Sequence, residues 1–506
     1  MQTEEPRAKH LHALLKGLSV RTGSLPEDTV VTGITHDSRQ VRPGYVFVAI
    51  RGFRTDGANF VTEAVARGAS AIVAERAMEG LPVPLVAVRD ARRALAELSA
   101  AFWDYPSRRL ALVGVTGTNG KTTTCILCKS IAEAAGLKAA VLGTLGHLVG
   151  EQVSARDRTT EEASDLQPTL ADLAEAGVRL AAMEVSSHGL ALDRVWKTYF
   201  DVGVLTNITQ DHLDFHGNLA DYAEAKARLF TVYPDLAREA GKVMRAAINL
   251  DDALGRDIAQ KAECEVVGFG MEAAQAAVTA REVVCEARGT RLRLVTPAGE
   301  ADVVMSLVGR FNVENALAAA AASVALGLPL EAIAAGLETA RPAPGRMERV
   351  EAGQDFIIIV DYAHTPDALA KVLAEARRLT NRRVICVFGC GGDRDPTKRP
   401  KMGRAATQLA DWTVITSDNP RTEDPEAIIA GIVAGATEGR YEVEPDRRSA
   451  IRRALAQAQP GDVVVIAGKG HETYQILGDR TIHFDDREEA AAAVRDLLLG
   501  AHGDAE

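Results

Sequence analysis

The stretch GVTGTNGKTTT, Gly114 to Thr124, decides how this sequence should fold. It follows the apolar run RLALVGV (109–115), which has the length of a buried strand, and it leads into residues of helical composition. A glycine-rich turn between a strand and a helix aims backbone N–H groups at an anion, while Lys121 can reach terminal phosphates and Thr122 a magnesium ion. Val115 replaces the usual first glycine, which leaves the shorter GTNGKT. The stretch predicts a nucleotide triphosphate site.

Apolar runs of strand length recur on both sides of this loop. Stretches of helical composition separate them, and this alternation is typical of βαβ units around a parallel sheet. The runs are 109–115, 139–143, 179–185, 201–207, 356–360, 383–388, 412–416 and 463–468. Polar loops follow the later runs, and open α/β sheets bind ligands at the carboxyl ends of their strands. We predict an α/β fold with a central P-loop-type parallel sheet and a Rossmann-like C-terminal sheet.

Two loop-like segments predict where the chain divides into domains. YPSRR (105–109) precedes the first strand of the central sheet, and RPAPGRMERV (341–350) contains the prolines and glycine of a linker. A chain of this length corresponds to about three domains. We therefore predict an N-terminal domain over 1–108, a central domain over 109–340 and a C-terminal domain over 341–506.

Composition narrows the class of protein. The 506 residues are 47% hydrophobic and carry a formal net charge of −11, with a pI near 5.6. A general nucleic-acid binder would need a basic surface. The N-terminal segment MQTEEPRAKHLHALLKG lacks the apolar stretch of a signal peptide, and the most apolar run, 316–328, is too short to cross a bilayer. We expect a cytoplasmic protein that neither inserts into membranes nor binds nucleic acid.

Six cysteines in so long a chain do not indicate a disulfide scaffold. Cys125 and Cys128 have the spacing of a redox pair or half of a zinc site, but no second pair stands at zinc spacing. Because their position is helical by pattern, we expect both to pack in a core.

Two further polar loops follow central strands and supply candidate metal ligands. They are MEVSSHGL (183–190) and TNITQDHLDFHG (206–217). Magnesium prefers oxygen ligands and keeps several waters, so one or two carboxylates plus substrate phosphates suffice. Any one of these side chains could equally be a buried polar group that only needs a partner. The candidates are Glu184, His188, Asp211, His212, Asp214 and His216.

Taken together, the motifs resemble the Mur ligases, a family that acts in peptidoglycan precursor synthesis and cell wall biogenesis. Nearly the whole chain is covered, and the motifs occur in the family's order: GTNGKTT, EVSSHGL, TNITQDHLDFH, YAEAKARLF, GRFNVENALAA, PGRMERV, DYAHTP, GCGGDRD, DNPR and GKGHE. Some of these are shared with the related folylpolyglutamate synthetases. HDSR, GDRD, DNPR and GKGHE together resemble the members that add 2,6-diaminopimelate.

The resemblance implies an ATP-dependent ligase that forms a C–N bond. ATP would phosphorylate the D-glutamate carboxylate of UDP-N-acetylmuramoyl-L-alanyl-D-glutamate, and the amine of meso-diaminopimelate would attack the acyl phosphate. The implied catalytic residues are Lys121, Glu184, His212 and Lys226, and the implied Mg²⁺ ligands are Thr122, Glu184, His212 and Lys226 as a carbamate. Without the resemblance, Lys226 would be a solvated lysine on a helix over 221–230. The protein is expected to be a monomer.

The resemblance also implies nucleotide and precursor contacts. For ATP they are Gly117, Thr118, Asn119, Gly120, Lys121, Thr122, Thr123, Asn312, Arg346 and Asp361, and for the UDP-precursor they are Ser38, Thr159, Thr160, Ser186 and Arg194. Two of these have bland alternatives, because Asn312 could cap the Ala-rich helix and HDSR could be a simple turn. The loop TTEEASDLQ (159–167) is more acidic than the resemblance leads us to expect.

The resemblance places the amino-acid substrate at the last strand ends. The implied residues are Arg394, Asp418, Asn419, Pro420, Arg421, Gly468 and Glu472. Arg421 can bind the distal carboxylate of diaminopimelate, and either Asp418 or Glu472 can accept its ammonium. L-Lysine lacks that distal carboxylate and would leave Arg421 unpaired, which costs about 1 to 3 kcal/mol. The alternatives are a solvated turn at DNPR, a lysine-adding ligase, and a nucleotide-binding module without turnover.

Overall fold

The computed structural model of this protein describes residues 7–18, 20, 29–53, 55–150, 152–154, 156, 158–286 and 289–503. The side chains of Asp214 and of 500–503 lie outside that description. Residues 1–6 also lie outside the description, and they are part of the N-terminal segment from which we expect that the protein has no signal peptide.

The first region contains a small parallel sheet and a separate two-stranded ladder. The strands of the region are β1 (Lys9–His10), β2 (Val30–Val31), β3 (Gly33–Thr35), β4 (Tyr45–Val48), β5 (Ala71–Ala74) and β6 (Leu85–Ala87). The helices of the region are α1 (Leu11–Leu14), α2 (Val61–Ala66) and α3 (Ala91–Phe102). Strands β3 to β6 lie in chain order and are all parallel, while β1 and β2 form a separate antiparallel ladder. Asp90 caps α3 by accepting from the N–H groups of Arg92 and Arg93.

The central region is built on an eight-stranded sheet. Its strands are β7 (Ala111–Thr116), β8 (Ala139–Gly143), β9 (Gly146–Val149), β10 (Gln152–Ser154), β11 (Leu180–Glu184), β12 (Val202–Leu205), β13 (Arg245–Asn249) and β14 (Glu265–Phe269). They lie in the order β10-β9-β8-β11-β7-β12-β13-β14, and all neighbours are parallel except those involving β9 and β10. The strands predicted for this region are confirmed.

The helices of the central region cover both faces of its sheet. They are α4 (Lys121–Ala134), α5 (Ala163–Glu175), α6 (Ser187–Ala191), α7 (Leu213–His216), α8 (Leu219–Thr231), α9 (Tyr233–Glu239), α10 (Ala253–Lys261), α11 (Arg310–Ala325) and α12 (Leu330–Thr339). One core joins the sheet to α4, α11 and α12, and a second joins it to α5, α8, α9 and α10. Strands buried on both faces read as continuous apolar runs, which is why the sequence pattern locates them.

An antiparallel sheet that we did not predict packs against the first of these cores. Its strands are β15 (Thr279–Glu286), β16 (Gly289–Thr296) and β17 (Gly299–Met305). In β16 the buried Leu292 and Leu294 alternate with the more exposed Arg291 and Arg293. This period of two is the signature of a half-buried strand.

The last region holds a six-stranded sheet and a separate hairpin. Its strands are β18 (Glu348–Arg349), β19 (Ile357–Asp361), β20 (Val384–Phe388), β21 (Trp412–Ile415), β22 (Tyr441–Val443), β23 (Val463–Ala467), β24 (Tyr474–Leu477) and β25 (Arg480–His483). Its helices are α13 (Pro366–Arg378), α14 (Arg399–Leu409), α15 (Pro425–Val433), α16 (Arg447–Gln457) and α17 (Asp486–Gly503). The order is β18-β19-β23-β20-β21-β22, parallel except at the short edge strand β18. Loops after β20, β21 and β23 therefore meet at one edge.

Short 3₁₀ turns complete the described elements. They are Ser38–Gln40, Gly57–Phe60, Pro106–Arg108 and Pro396–Lys398. Among the described helices, none is long and apolar enough to cross a membrane. The Ala-rich run instead forms most of α11, which is buried in the central core. Cys125 and Cys128 are buried with free thiols, so the packing interpretation is confirmed.

Candidate active site

The phosphate loop joins β7 to α4, and two of its turns require glycine. Gly117 has a φ of +149° and Gly120 a φ of +86°. A Cβ on Gly117 would lie 1.9 Å from Thr206 Oγ1. Lys121 Nζ donates to the carbonyl oxygens of Gly117 and Thr118 at 3.0 and 2.9 Å. The loop's own backbone and lysine therefore define its shape.

The helix that follows the loop offers free N–H groups at its start. Thr118 N donates to the Asn207 carbonyl at 2.8 Å, and Asn119 N donates to Asn207 Oδ1 at 3.0 Å. No side chain of the described residues caps α4, whose N-cap residue is Gly120. The N–H groups of the first turn of α4 can therefore bind phosphate oxygens.

Glu184, at the end of β11, lies directly beside this helix. Thr122 Oγ1 donates to Glu184 Oε1 at 2.8 Å, and Thr144 donates to the same carboxylate through its backbone N–H at 2.9 Å. Glu184 is 1% exposed. A hydroxyl next to a carboxylate fits Mg²⁺, which prefers oxygen ligands. In the parts of the chain that are described, no group of three or more His, Cys, Asp or Glu could hold a metal.

Lys226 is a buried residue, so the interpretation as a solvated lysine is wrong. Its helix, α8, starts at Leu219 because Asn218 caps it by accepting from Asp221 N. Lys226 Nζ donates to the Gly117 carbonyl at 2.8 Å and lies 4.5 Å from the centre of the Tyr222 ring. Burial, followed by the charge of Lys121, lowers the pKa of Lys226 well below its usual value.

Asp211 and His212 extend from the loop after β12 toward the same cleft. His212 has a φ of +52°, and its Nε2 lies 3.4 Å from Asp211 Oδ2. The rings of His188 and His212 are 4.8 Å apart, and those of His188 and His216 are 5.6 Å apart. Burial alone would raise the pKa of Asp211, but His212, His364 and Lys121 hold it below its usual value.

The structure corrects the alternative role of Asn312. The interpretation as a helix cap is wrong, because the N-cap of α11 is Gly309 and Asn312 lies in the first turn, where its Nδ2 donates to the Val308 carbonyl at 2.8 Å. Asn312 Oδ1 accepts from Asn315 Nδ2 at 3.1 Å. Asn315 lines the cavity of about 260 Å³ at the phosphate loop, and Asn312 supports it from behind.

Arg346, Asp361 and Tyr362 form the opposite wall of this cavity. The Arg346 guanidinium lies 4.5 Å from the centre of the Tyr362 ring, and within the described part of the chain its Nε has no hydrogen-bond partner. Asp361 Oδ2 accepts from Met347 N at 2.7 Å. Burial raises the pKa of Asp361, and the charge of Arg346 opposes that rise.

Four of the five predicted precursor residues lie together. Thr160 Oγ1 donates to the Glu184 carbonyl at 2.9 Å and accepts from Ser186 N at 3.0 Å. Arg194 Nη1 donates to the Thr160 carbonyl at 3.1 Å, and Thr159 Oγ1 lies 3.0 Å from Thr144 Oγ1. These four residues therefore lie beside Glu184: Thr160 contacts its backbone carbonyl, and Thr159 contacts Thr144, which donates to its carboxylate.

Ser38 belongs to the first region, where it begins a 3₁₀ turn rather than a simple turn. Its Oγ donates to Glu63 Oε2 at 2.9 Å. The neighbouring His36 Nδ1 lies 2.9 Å from Ser164 Oγ, which ties HDSR to the start of α5. The acidic loop TTEEASDLQ is neutralised by nearby arginines. Glu162 forms ion pairs with Arg92 at 3.5 Å, with Arg158 at 2.8 Å and with Arg194 at 2.9 Å.

The DNPR loop is buried, so its interpretation as a solvated turn is wrong. Asp418 and Asn419 are 8% and 1% exposed. Arg421 is half-buried with a φ of +54°, and its Nη1 donates to the Gly392 carbonyl at 2.8 Å. Among the described residues, no carboxylate forms an ion pair with Arg421.

The neighbouring loops bring the other predicted amino-acid contacts to the same place. Asn419 Nδ2 donates to Glu472 Oε2 at 2.7 Å. Gly468 has a φ of +119°, and a Cβ there would lie 2.5 Å from Asp418 Oδ2. Arg394 is exposed, and its Nη1 donates to the Asp393 carbonyl at 2.9 Å.

Sequence reasoning missed the buried ion pair beneath these loops. Arg447 and Asp486 pair at 2.7 Å with both side chains fully buried. Arg447 also donates to the carbonyls of Ser417 and Ala467 at 3.2 and 3.1 Å, just before DNPR and GKGHE. Arg447 lies in the arginine-rich helix α16, and nothing in the local sequence distinguishes it from the arginines of that helix that are exposed.

The sequence motifs DYAHTP and GKGHE each contain a histidine to which the sequence analysis assigns no role, His364 and His471. His364 Nδ1 lies 2.8 Å from the Tyr362 carbonyl, so Nδ1 carries the proton. Burial lowers the pKa of His364 to about 4 and that of His471 to about 3. Both rings pack on Tyr362, at 4.6 and 5.0 Å between centres. The position of each histidine within a family motif, DYAHTP or GKGHE, was the only feature of the sequence that could have indicated a role.

A larger cavity of about 760 Å³ joins the predicted sites. It contains side chains from the loops after β12, β19, β20, β21 and β23. Asp211, His212, Tyr362 and His364 line both this cavity and the one at the phosphate loop. The two cavities therefore form one crevice between the central and last sheets.

This arrangement defines a nucleotide-binding α/β protein whose phosphate loop opens toward a cation-lined pocket on a second sheet. Three family models match the chain: "Mur ligase family, catalytic domain" over 30–103, "Mur ligase middle domain" over 115–323, and "Mur ligase, glutamate ligase domain" over 345–470. The chain belongs to the Mur ligase family.

Relatives agree with the family models over almost the full length. A UDP-N-acetylmuramoyl-L-alanyl-D-glutamate--2,6-diaminopimelate ligase of Geobacillus kaustophilus is 47% identical, covering 95% of this chain and 98% of its own. A protein of the same name from Gloeobacter violaceus is 48% identical, covering 96% and 98%.

Solved structures show the same fold. A structure titled UDP-N-acetylmuramoyl-L-alanyl-D-glutamate--2,6-diaminopimelate ligase matches with a TM-score of 0.69 and 34% identity, covering 96% of this chain and 99% of that one. A MurF ligase of Thermotoga maritima, in complex with ADP, matches with a TM-score of 0.63 and 19% identity, covering 92% and 96%.

Proposed function

We propose that this protein joins 2,6-diaminopimelate to UDP-N-acetylmuramoyl-L-alanyl-D-glutamate in an ATP-dependent reaction of peptidoglycan precursor synthesis. The relatives at 47% and 48% identity carry this activity in their names. The observation that carries the proposal is the single crevice that joins the phosphate loop to the pocket of DNPR and GKGHE.

The first step is phosphoryl transfer. A carboxylate oxygen of the D-glutamate attacks the γ-phosphorus of ATP, which gives an acyl phosphate and ADP. The N–H groups at the start of α4 and the Lys121 ammonium stabilise the charge on the transferring oxygens. Lys121 reaches them by leaving the carbonyls of Gly117 and Thr118, to which it now donates.

Thr122 and Glu184 are the residues that would hold Mg²⁺. Their oxygens are 2.8 Å apart, and this donor set fits the ion. Bound there, Mg²⁺ would neutralise charge on the phosphates. His212 and Lys226 would contribute to a second ion only if Lys226 carries a carbamate. The lowered pKa of Lys226 supports that modification, because an uncharged amine is the form that adds carbon dioxide.

The second step forms the amide. The amine of diaminopimelate, after losing its proton, attacks the carbonyl carbon of the acyl phosphate, and inorganic phosphate leaves. Closure of the two sheets around the crevice would exclude water, which would otherwise hydrolyse this intermediate. Arg421 binds the distal carboxylate, with Arg394 as a second cation, and Glu472 accepts the distal ammonium.

The remaining features of the proposal concern assembly and substrate detail. We infer that the regions 1–108, 109–340 and 341–506 act as precursor, nucleotide and amino-acid domains of a cytoplasmic monomer. We further infer that meso-diaminopimelate is the isomer used. The arginines around Glu162 and the pair of Thr160 and Ser186 support the place of the precursor.

The direct test is phosphate release by the purified protein with each substrate omitted in turn. Release should require ATP, the precursor and diaminopimelate together. Nucleotide binding without release in the complete mixture would instead identify a binding module that has no turnover.

A further inference from the structure

Lys469, in the GKGHE loop, is fully buried next to the amino-acid pocket. Its side chain is 0% exposed, and it does not line the large cavity. Its ammonium lies 3.3 Å from Asn419 Oδ1 and 3.4 Å from Glu472 Oε2, and it donates to the Tyr474 carbonyl. A lysine ammonium has three donors, so these three oxygens use all of them.

The contacts of Lys469 fall on one oxygen of the Glu472 carboxylate. Lys469 Nζ and Asn419 Nδ2 both approach Oε2, at 3.4 and 2.7 Å. Among the described residues, no hydrogen bond or ion pair reaches Oε1. Glu472 itself lines the cavity and is 14% exposed, so its remaining oxygen can serve a ligand.

We propose that Lys469 is a positioning residue of the amino-acid site, which holds Glu472 Oε2 and so presents Oε1 to the ammonium of the incoming diamino acid. The proposal rests on the proposed function and deepens it. Lys469 does not line the cavity and its three donors are occupied, so it acts through the residues that it contacts, which are Glu472, Asn419 and Tyr474.

Electrostatics explains why the carboxylate needs this support. Burial and the neighbouring Asp418 raise the pKa of Glu472, whereas Lys469 and the hydrogen bond from Asn419 oppose that rise. An ionised carboxylate accepts a hydrogen bond from an ammonium far better than a protonated one does. Without Lys469, Glu472 would lose both its orientation and part of the charge that binds the substrate.

The first experiment compares Lys469→Met with Lys129→Met. Lys129 is also buried and paired with a glutamate, Glu133, but it lies on α4 away from the pocket. We expect Lys469→Met to raise the KM for diaminopimelate by about tenfold or more, because a charge-assisted contact is lost, while the KM for ATP changes by less than about twofold. Lys129→Met should leave both values unchanged. An unchanged KM for diaminopimelate in Lys469→Met would overturn the proposal.

A double-mutant cycle separates positioning from a structural role. If Lys469 acts through Glu472, then Lys469→Met/Glu472→Gln should have the same KM for diaminopimelate as Glu472→Gln alone. If the increase in KM for diaminopimelate in the double variant equals the product of the increases in the two single variants, the proposal is contradicted. The double variant also removes the buried charge together with its counter-charge, so it remains informative where Lys469→Met does not fold.

The wild-type protein separates this inference from the proposed function. Absence of diaminopimelate-dependent phosphate release in the wild type would refute the proposed function. Normal wild-type turnover, with the KM of Lys469→Met equal to that of the wild type, would refute only the role of Lys469.

Discussion

The phosphate loop and the amino-acid loops are polar loops at strand ends, but they are held in different ways. The phosphate loop takes its shape largely from its own residues, since Gly117 and Gly120 adopt positive φ and Lys121 donates to carbonyls within the loop, with further contacts from Asn207 and Lys226. The loops DNPR (418–421) and GKGHE (468–472), here called the amino-acid loops, are held by residues far along the chain. The main contribution comes from the ion pair of Arg447 and Asp486. Removal of the Lys121 side chain from the phosphate loop should therefore affect chemistry more than stability, whereas substitutions beneath the loops of the last sheet should affect stability as well.

The largest effect is expected at the phosphate loop. Lys121→Ala removes the cation that we propose stabilises the transferring phosphate, so turnover should fall by about 10³-fold or more. Lys129→Ala, on the same helix and paired with Glu133, is the matched control and should keep turnover near the wild-type value. Phosphate release under saturating substrates measures both. A loss smaller than about tenfold in Lys121→Ala would contradict this role.

Lys226 tests whether the phosphate loop needs a partner from outside itself. Lys226→Ala should lose turnover by about 10²-fold or more, because the proposed metal ligand and a contact to the loop are removed together. Short carboxylates such as acetate should restore part of the activity if the missing group is an anionic carbamate. Wild-type turnover in the variant would refute the ligand role, and intact-protein thermal melting would show whether folding is affected.

The buried ion pair tests the claim about outside support. Arg447→Met leaves Asp486 buried without a counter-charge and should destabilise the last sheet by about 3 to 5 kcal/mol. Hydrogen exchange of β21 and β23 measures this locally. Arg238→Ala removes an exposed pair with Asp235 and should cost less than about 1 kcal/mol. Equal protection in wild type and Arg447→Met would show that the loops do not depend on this pair.

Arg421 tests the selection of the substrate. Arg421→Lys keeps a positive charge but loses the fork that binds a carboxylate at two points. The KM for diaminopimelate should rise by about tenfold to a hundredfold, in line with a loss of about 1 to 3 kcal/mol. The preference over L-lysine should narrow by a similar factor. If the variant discriminates as well as the wild type does, another residue selects the distal carboxylate.

The smallest expected effect concerns pH. Burial and Asp418 raise the pKa of Glu472, so this carboxyl takes up a proton at a higher pH than an ordinary glutamate. Diaminopimelate binding should therefore weaken as the pH falls, by up to about tenfold per pH unit below that pKa. Glu472→Gln should flatten the dependence of KM on pH. Parallel profiles for wild type and variant would exclude Glu472 as the titrating group.

The same contrast explains how much of the structure could be predicted. The inner strands β7, β8, β11 and β12 of the central sheet and β19, β20, β21 and β23 of the last sheet follow from apolar runs, because strands buried on both faces leave no polar positions. The other strands of these two sheets, which include every edge strand, were not predicted. The phosphate loop follows from local spacing, because its geometry is local. Residues such as Glu184 and Arg421 could be proposed from the resemblance, and the structure brings them to one crevice.

What sequence reasoning missed depends on contacts between distant residues. The antiparallel sheet was not predicted, although the alternation of apolar and charged residues in β16 is present in the sequence. The alternative in which Asn312 caps the Ala-rich helix is wrong, because that helix begins at Arg310 with Gly309 as its N-cap. Arg447 has no local feature that separates it from the exposed arginines of α16, and only its pairing with Asp486 explains its burial.

The most direct test of the account is a panel of amino acids offered with ATP and UDP-N-acetylmuramoyl-L-alanyl-D-glutamate, with products identified by mass. We expect the adduct of diaminopimelate to dominate and that of L-lysine to be minor, since only diaminopimelate has a second, distal carboxylate for Arg421. Comparable adducts of both amino acids, or an adduct of lysine alone, would contradict the assignment of the amino-acid loops.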